Sequence, residues 1–216
     1  AALTTTQVGN PSSQQLGALT TTQFAAMEST DIGALSTAQL KGVTTDQMGA
    51  MTTTQLAGLT DAQLASLTND QLNALTTTNV AALTSTQVNA LTSKQLSGLT
   101  TTQTGALETT DIAALTSAQL KGLTSDQING FTTTQLGPLT STQIGNLDAK
   151  LLAALNTTNV AALTTTQIGG LTNTQVKALT TTQVAAMETT DLAALTTTQV
   201  GNLSSQQLGA LTTTQF

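Results

Sequence analysis

Residues 179–186 read Leu-Thr-Thr-Thr-Gln-Val-Ala-Ala, and variants of this octad fill the whole chain without a break. When the octad is begun at Leu3, its first position holds a large apolar residue in 26 of 27 units, and so does its sixth. The fifth position is Gln in 21 units, and all 16 glycines fall at the seventh or eighth position. A short fixed period of this kind is typical of a repeat architecture in which each unit packs on its near neighbours.

The octad carries the signals of a helix start. Thr at the second position and Gln at the fifth have the spacing of a capping box, in which each side chain satisfies a free backbone N–H. A Ser, Thr, Asp or Asn stands at the second position in 24 of 27 units. The apolar first and sixth positions are placed as a hydrophobic staple around that start. Small residues at the seventh and eighth positions mark the helix end, where the chain can leave through a left-handed residue.

These signals leave about five or six residues for each helix, which is too short to be stable alone in water. The pattern therefore predicts an all-α solenoid of very short helices, one per octad, with the first, sixth and eighth positions facing inward. A β-solenoid is the alternative, because Thr, Val and Ile favour strands. In a straight strand the first and sixth positions would point to opposite faces, so a β-solenoid would need a corner in every octad.

A second, longer period of ten octads lies on top of the first. Residues 27–32, Met-Glu-Ser-Thr-Asp-Ile, return in closely similar form as residues 107–112 and again as residues 187–192. We interpret residues 1–216 as one continuous solenoid of 27 octads. The sequence starts and stops in mid-pattern, so we expect it to be a segment of a longer chain. The number of octads in one turn of the solenoid does not follow from the sequence.

The composition argues against several classes of function. Only 7% of the residues are charged, and His, Cys, Tyr, Trp and Arg are absent. A chain with net charge −6 and five lysines offers no basic stripe for phosphates, so we expect no nucleic-acid partner. No apolar run is long enough to span a bilayer. Because the abundant hydroxyls have no base beside them, we predict no enzymatic activity, no catalytic residue and no cofactor.

Three octads depart from the pattern together. In these acid octads Glu takes the second position and Asp the fifth, giving the pairs Glu28 and Asp31, Glu108 and Asp111, and Glu188 and Asp191. Paired carboxylates are oxygen ligands that could serve calcium, or they could make a charged contact that fixes lateral register once in every ten octads. The simpler interpretation is a variant helix start, because acids favour the positive end of the helix dipole.

Over all its octads, the chain resembles the long low-complexity octapeptide-repeat regions (Leu-Thr-x-x-Gln-Val-x-Ala) of bacterial secreted and cell-surface proteins. This resemblance implies a structural role at the cell surface or outside the cell, as a rod or subunit of a filament or matrix fibre, and it supplies no functional residues. Head-to-tail self-association would bury the terminal layers of such a solenoid, and rods could also pair laterally. The alternatives are a module whose exposed Thr rows bind ice, polysaccharide or mineral, and the passive stalk of an adhesin.

Overall fold

The computed structural model describes residues 4–216 and contains 26 short α-helices and no strand within that range. The prediction of an all-α solenoid of very short helices is therefore confirmed, with one helix in each octad except the last, and the β-solenoid alternative is wrong. The helices are α1 Thr5–Val8, α2 Ser13–Gly17, α3 Thr21–Ala25, α4 Ser29–Ala34, α5 Thr37–Leu40, α6 Thr45–Gly49, α7 Thr53–Ala57, α8 Asp61–Ser66, α9 Asn69–Ala74, α10 Thr77–Ala81, α11 Ser85–Ala90, α12 Ser93–Gly98, α13 Thr101–Ala106, α14 Thr109–Ala114, α15 Ser117–Gly122, α16 Ser125–Asn129, α17 Thr133–Leu136, α18 Ser141–Gly145, α19 Ala149–Ala154, α20 Thr157–Ala161, α21 Thr165–Gly169, α22 Asn173–Ala178, α23 Thr181–Ala186, α24 Thr189–Ala194, α25 Thr197–Val200 and α26 Ser205–Gly209.

The predicted capping box begins most of these helices, and α8 shows its geometry. The Oγ1 of Thr60 accepts a hydrogen bond from the backbone N–H of Gln63 at 3.3 Å. In return, the Oε1 of Gln63 accepts from the backbone N–H of Thr60 at 2.7 Å. Two of the free N–H groups at the helix start are thus satisfied by side chains three residues apart, which is why so short a helix can begin in every octad.

The helix ends differ from the prediction. Among residues 4–216 no residue, glycine included, has a positive φ, so the expected left-handed exit is wrong. The chain instead turns through two consecutive extended residues, as at Leu67 (φ −65°, ψ 145°) and Thr68 (φ −76°, ψ 161°). An extended first position followed by an extended cap redirects the chain without the conformation that favours glycine.

The interior is lined by the first and sixth positions, as predicted. Leu59 and Leu64, which hold these positions in one octad, are 4% and 0% exposed. The eighth position is not inside: Ala34 is exposed and Ala50 is half-buried, so this part of the prediction is wrong. The fifth position takes its place in the interior, since the Gln63 side chain is only 3% exposed. A polar amide can be buried there because all its hydrogen-bonding atoms find partners.

Within each compact part of the chain, helices pack on the helix three octads further along. The contacts divide the chain into two compact units, Ala1–Asp111 (unit 1) and Ile112–Phe216 (unit 2). In unit 1, α4 packs on α7 and α6 on α9; in unit 2, α19 packs on α22 and α20 on α23. Three octads therefore complete one turn of the solenoid within each unit. That residues 1–216 form one continuous solenoid stays a prediction.

Glycine at the eighth position allows successive turns to approach closely. A Cβ added to Gly58 would overlap the backbone carbonyl oxygen of Ser29, and one added to Gly42 would overlap that of Ser13. In both pairs an eighth-position residue meets the third position of an octad in the preceding turn. The role of these glycines is therefore steric, because their φ angles are open to any residue.

We expect Gly58→Ala to lower the free energy of unfolding by about 1–3 kcal/mol, because the new methyl group would push two turns apart. Gly105→Ala is the matched control, since a Cβ at Gly105 meets nothing within 4 Å. The control should leave stability unchanged or raise it by up to about 1 kcal/mol, because alanine loses less conformational entropy on folding. Urea denaturation compares the two variants. An equal effect of both substitutions would contradict the close approach.

Candidate functional site

Within each unit, the fifth-position glutamines connect one turn of the solenoid to the turn before it. The Nε2 of Gln63 donates to the backbone carbonyls of Ile32 at 3.0 Å and Leu35 at 2.6 Å. We call the set of such side chains, each donating to the carbonyl 28 residues earlier, the glutamine ladder. Its members include, in unit 1, Gln39, Gln47, Gln55, Gln63, Gln71, Gln87, Gln95 and Gln103, and, in unit 2, Gln143, Gln167, Gln175, Gln183, Gln199, Gln207 and Gln215.

Sequence reasoning found only half of this arrangement. It assigned the Oε1 of each glutamine to the capping box, but it gave the Nε2 no role. A signal for the second role was present, because Glu satisfies a capping box as well as Gln does, yet Glu never occupies the fifth position. The glutamine amide can accept from a backbone N–H and donate to a backbone carbonyl at the same time, whereas an ionised glutamate can only accept.

Two asparagines show that the amide, more than its length, is what the position requires. The Nδ2 of Asn79 donates to Met51 O at 3.0 Å, and that of Asn159 donates to Phe131 O at 2.8 Å. Both bonds keep the spacing of 28 residues. Apart from the aspartates of the acid octads, Leu151 departs from this pattern: it places an apolar side chain at the fifth position, and the cap residue of its helix, Asp148, makes no side-chain cap hydrogen bond.

In the acid octads the fifth-position carboxylates are buried and the second-position glutamates are exposed. Asp31, Asp111 and Asp191 are 3%, 2% and 3% exposed. Asp111 Oδ2 accepts from the backbone N–H of Glu108 at 3.2 Å, and its Oδ1 accepts from the Ser85 hydroxyl at 2.8 Å. The aspartate thus keeps the capping half of the glutamine's role. This geometry favours the interpretation of the acid octads as variant helix starts.

The other two interpretations of the acid octads receive less support. Within residues 4–216, no three His, Cys, Asp or Glu side chains form a group that could hold a metal ion. Calcium binding at the acid octads stays an untested alternative. In unit 1, Glu28 and Glu108 are ten octads apart, which is three full turns and one octad. Their octads therefore lie on neighbouring faces. A lateral contact that used both would have to involve two faces of the solenoid.

Burial also changes the acidity of two of these aspartates. Burial raises the pKa of Asp191 above its ordinary value of 3.8; the Glu188 backbone N–H opposes this rise, and the Glu188 charge adds to it. Burial likewise raises the pKa of Asp111, against hydrogen bonds from Ser85 and the Glu108 backbone. The folded chain therefore takes up these protons more readily than the unfolded chain. Each carboxyl contributes most to stability below the unfolded pKa, and this contribution is lost as pH rises through the folded pKa.

We expect Asp191→Asn to raise the free energy of unfolding at pH 7 by about 1 kcal/mol, the net value of one hydrogen bond. The new amide would donate to the backbone carbonyl of Leu163, 28 residues earlier, as the Asn159 amide donates to the carbonyl of Phe131. The substitution would also remove the buried charge. The gain should shrink as pH falls and the wild-type carboxyl becomes protonated. Asp126→Asn is the control, because it removes an exposed acid from the first turn of α16. Denaturation at several pH values that gave equal shifts for both variants would contradict this prediction.

The exposed surface of unit 1 differs from face to face. Because three octads complete a turn, fourth positions that are three octads apart lie on one face. One such row carries Asp46, Asp70 and Lys94. Another row has Thr at every fourth position, and we call it the threonine face. Its exposed residues are Thr6, Thr30, Thr54, Thr78 and Thr102.

The described helices have at most six residues, and none is long and apolar enough to cross a membrane. No curated protein matches the chain. The model of a repeat family, described as the ALTTAQ repeat, matches residues 24–61, 49–77, 64–101, 104–141, 144–181 and 184–216. These matches lie over most of the sequence. Residues 162–167, Ala-Leu-Thr-Thr-Thr-Gln, differ from the hexapeptide of that description at one residue. The chain belongs to the ALTTAQ repeat family.

Proposed function

We propose that this chain is a structural protein, a rod or subunit of a filament or matrix fibre outside the cell or at its surface, and that it is not an enzyme. The observation that carries the proposal is the glutamine ladder. Within each unit, a turn satisfies carbonyl groups of the turn before it and presents its own carbonyls to the next turn. Such a contact can be repeated without limit, as a long fibre requires.

The chemistry of the side chains supports the same proposal. Among residues 4–216, no buried side-chain nitrogen or oxygen lacks a hydrogen-bond partner. The polar groups in the interior are therefore used for structure, which leaves few of them for chemistry. The extracellular location is proposed on the resemblance to bacterial secreted and cell-surface repeat regions.

Electron microscopy of the purified chain tests the structural role. We expect elongated particles that lengthen into fibres as protein concentration rises. Compact particles of constant size at every concentration would contradict the proposal. Antibody labelling of intact source cells tests the location, and labelling that appears only after the cells are broken would contradict a surface position.

The threonine face favours a second candidate, a module that binds a repetitive hydroxyl-bearing surface such as ice or a polysaccharide. Its fourth-position side chains are exposed, and they lie outside the capping boxes that occupy the second-position hydroxyls. If this candidate is correct, Thr54→Lys with Thr78→Lys should abolish thermal hysteresis or sedimentation with the polysaccharide. Thr22→Lys, in the row that already carries charge, should have no effect. Absence of both activities in the parent chain would remove this candidate.

A further inference from the structure

We propose that residues 147–154 of unit 2 form the point at which the folded solenoid opens first, and that a protease specific for lysine cleaves the chain there, between Lys150 and Leu151. We call residues 147–154 the Leu151 octad. Two kinds of hydrogen bond that other octads of unit 2 make are absent from it. This opening site is a property of the single folded chain, so it does not depend on the proposed filament.

The first missing hydrogen bonds belong to the helix start. Because Leu151 replaces the fifth-position Gln, its side chain cannot accept a hydrogen bond from the backbone N–H of Asp148. The Asp148 side chain makes no cap bond either, so α19 begins without a capping box. In the preceding octad, Thr140 and Gln143 make both bonds, at 2.8 and 3.1 Å. Since a lost cap destabilises a helix, the start of α19 is less stable than that of α18.

The second missing hydrogen bond belongs to the glutamine ladder. The carbonyl 28 residues before Leu151 is that of Leu123, a residue that is only 5% exposed. This carbonyl accepts no hydrogen bond from residues 4–216. The equivalent carbonyl of Leu147 accepts from the Nε2 of Gln175 at 2.8 Å. A buried acceptor without a donor destabilises the folded chain, because water can hydrate the same acceptor once the chain has opened.

No other octad of unit 2 lacks both the capping bonds and the ladder amide. In the acid octad of this unit, the Asp191 carboxylate still accepts from the backbone N–H of Glu188. The octad that follows the Leu151 octad keeps half of its capping box, since the Asn156 side chain accepts from the backbone N–H of Asn159 at 2.8 Å. The lowest local stability in unit 2 is therefore expected at α19.

Opening of α19 would expose a peptide bond that a protease can cleave. Lys150 is an exposed fourth-position residue, and Leu151 follows it in the first turn of α19. A helix must unfold locally before its backbone fits a protease, so the cleavage rate follows the population of the open form. Water then adds across the peptide bond, which leaves a new carboxylate on Lys150 and a new amine on Leu151.

The other lysines of the chain are internal controls. Lys94 is the best match, because it is also an exposed fourth-position residue in a helix of 6 residues. Its octad has a complete capping box, and the Nε2 of Gln95 donates to the carbonyl 28 residues earlier at 2.9 Å. The remaining lysines are also exposed and lie in octads with complete capping boxes: Lys41, Lys121 and Lys177. Exposure alone therefore gives no preference for Lys150.

Limited digestion of the 216-residue chain with trypsin, followed by mass spectrometry of the fragments, tests the proposal. The rate after each lysine is divided by the rate in a short peptide of the same sequence, which corrects for the flanking residues. We expect the corrected rate to be about tenfold higher after Lys150 than after Lys94. Leu151→Gln should remove this difference, because the new side chain supplies both the capping acceptor and the ladder donor.

Gln95→Leu is the reciprocal variant. It should raise the corrected rate after Lys94 about tenfold, because it removes the same two interactions from α12, and it should leave the rate after Lys150 unchanged. Equal corrected rates after Lys94 and Lys150 in the parent chain would overturn the proposal. It would also be overturned if Leu151→Gln, with the helical circular dichroism of the parent, were cleaved after Lys150 as fast as the parent.

Discussion

Replacing Gln63 with Leu is expected to lower the free energy of unfolding by about 1.5–5 kcal/mol, since a buried acceptor left unsatisfied costs about 1–3 kcal/mol and a lost helix cap costs about 0.5–2 kcal/mol. The substitution keeps the approximate size of the side chain but removes the partner of the Thr60 backbone N–H and of the Leu35 carbonyl. The Leu35 carbonyl would remain buried between two turns, and the start of α8 would lose one bond of its capping box. Urea denaturation monitored by circular dichroism measures the loss.

Three further variants show which lost hydrogen bond causes the loss of stability in Gln63→Leu. Gln206→Leu changes a glutamine at an exposed fourth position and should have little effect. Gln63→Asn keeps an amide, as Asn79 does, and should cost less than Gln63→Leu. Gln63→Glu keeps the acceptor of the capping box but cannot donate when ionised, so it isolates the bond to the earlier turn. If Gln63→Glu were as stable as the parent at pH 7, the ladder would have no energetic role.

Leu64→Ala is the second substitution with a large expected effect. The Leu64 side chain is fully buried at a sixth position, and truncation of such a leucine costs about 2–5 kcal/mol through lost burial and the cavity left behind. Because each turn contacts only its neighbours, the loss should be local. Hydrogen exchange should show faster opening in α8 and in its packing partners α5 and α11.

Asp61→Ala is the control for this prediction, because Asp61 is an exposed residue of the same helix. The substitution shortens a side chain on the outside of α8 and leaves the buried leucine in place. We expect its effect on exchange in α5 and α11 to be small, because surface substitutions usually change stability by less than about 0.5 kcal/mol. Uniformly faster exchange throughout the described residues after Leu64→Ala would contradict a solenoid stabilised turn by turn.

Features that depend on neighbours in sequence could be predicted. The helix starts follow from the second and fifth positions, and burial of residues such as Leu59 and Leu64 follows from the apolar pattern. Features that depend on the packing of one turn on another could not. The pattern places the eighth position in the interior, but in the structure it is half-buried or exposed where another turn approaches it, as Gly58 and Ser29 demonstrate.

For the acid octads, too, the local features could be predicted from the sequence and the contacts between turns could not. Their place at helix starts could be predicted, because an acid at the second or fifth position lies close to free N–H groups. The burial of Asp111 and its bond to the Ser85 hydroxyl could not, since the two residues are 26 positions apart. The raised pKa of Asp111 follows from that burial, so it too became visible only in the folded chain.

The sequence by itself determined that each octad begins a short helix and places two apolar side chains on one side, because a capping box joins groups only three residues apart. The tertiary structure alone decided that three octads make a turn and that the glutamine amide reaches the turn before it. The physical reason lies in the repetition: in a chain of near-identical octads, a donor finds a similar carbonyl in every other octad. Local hydrogen bonding cannot distinguish among these partners, and only the packing of whole turns selects the carbonyl 28 residues away.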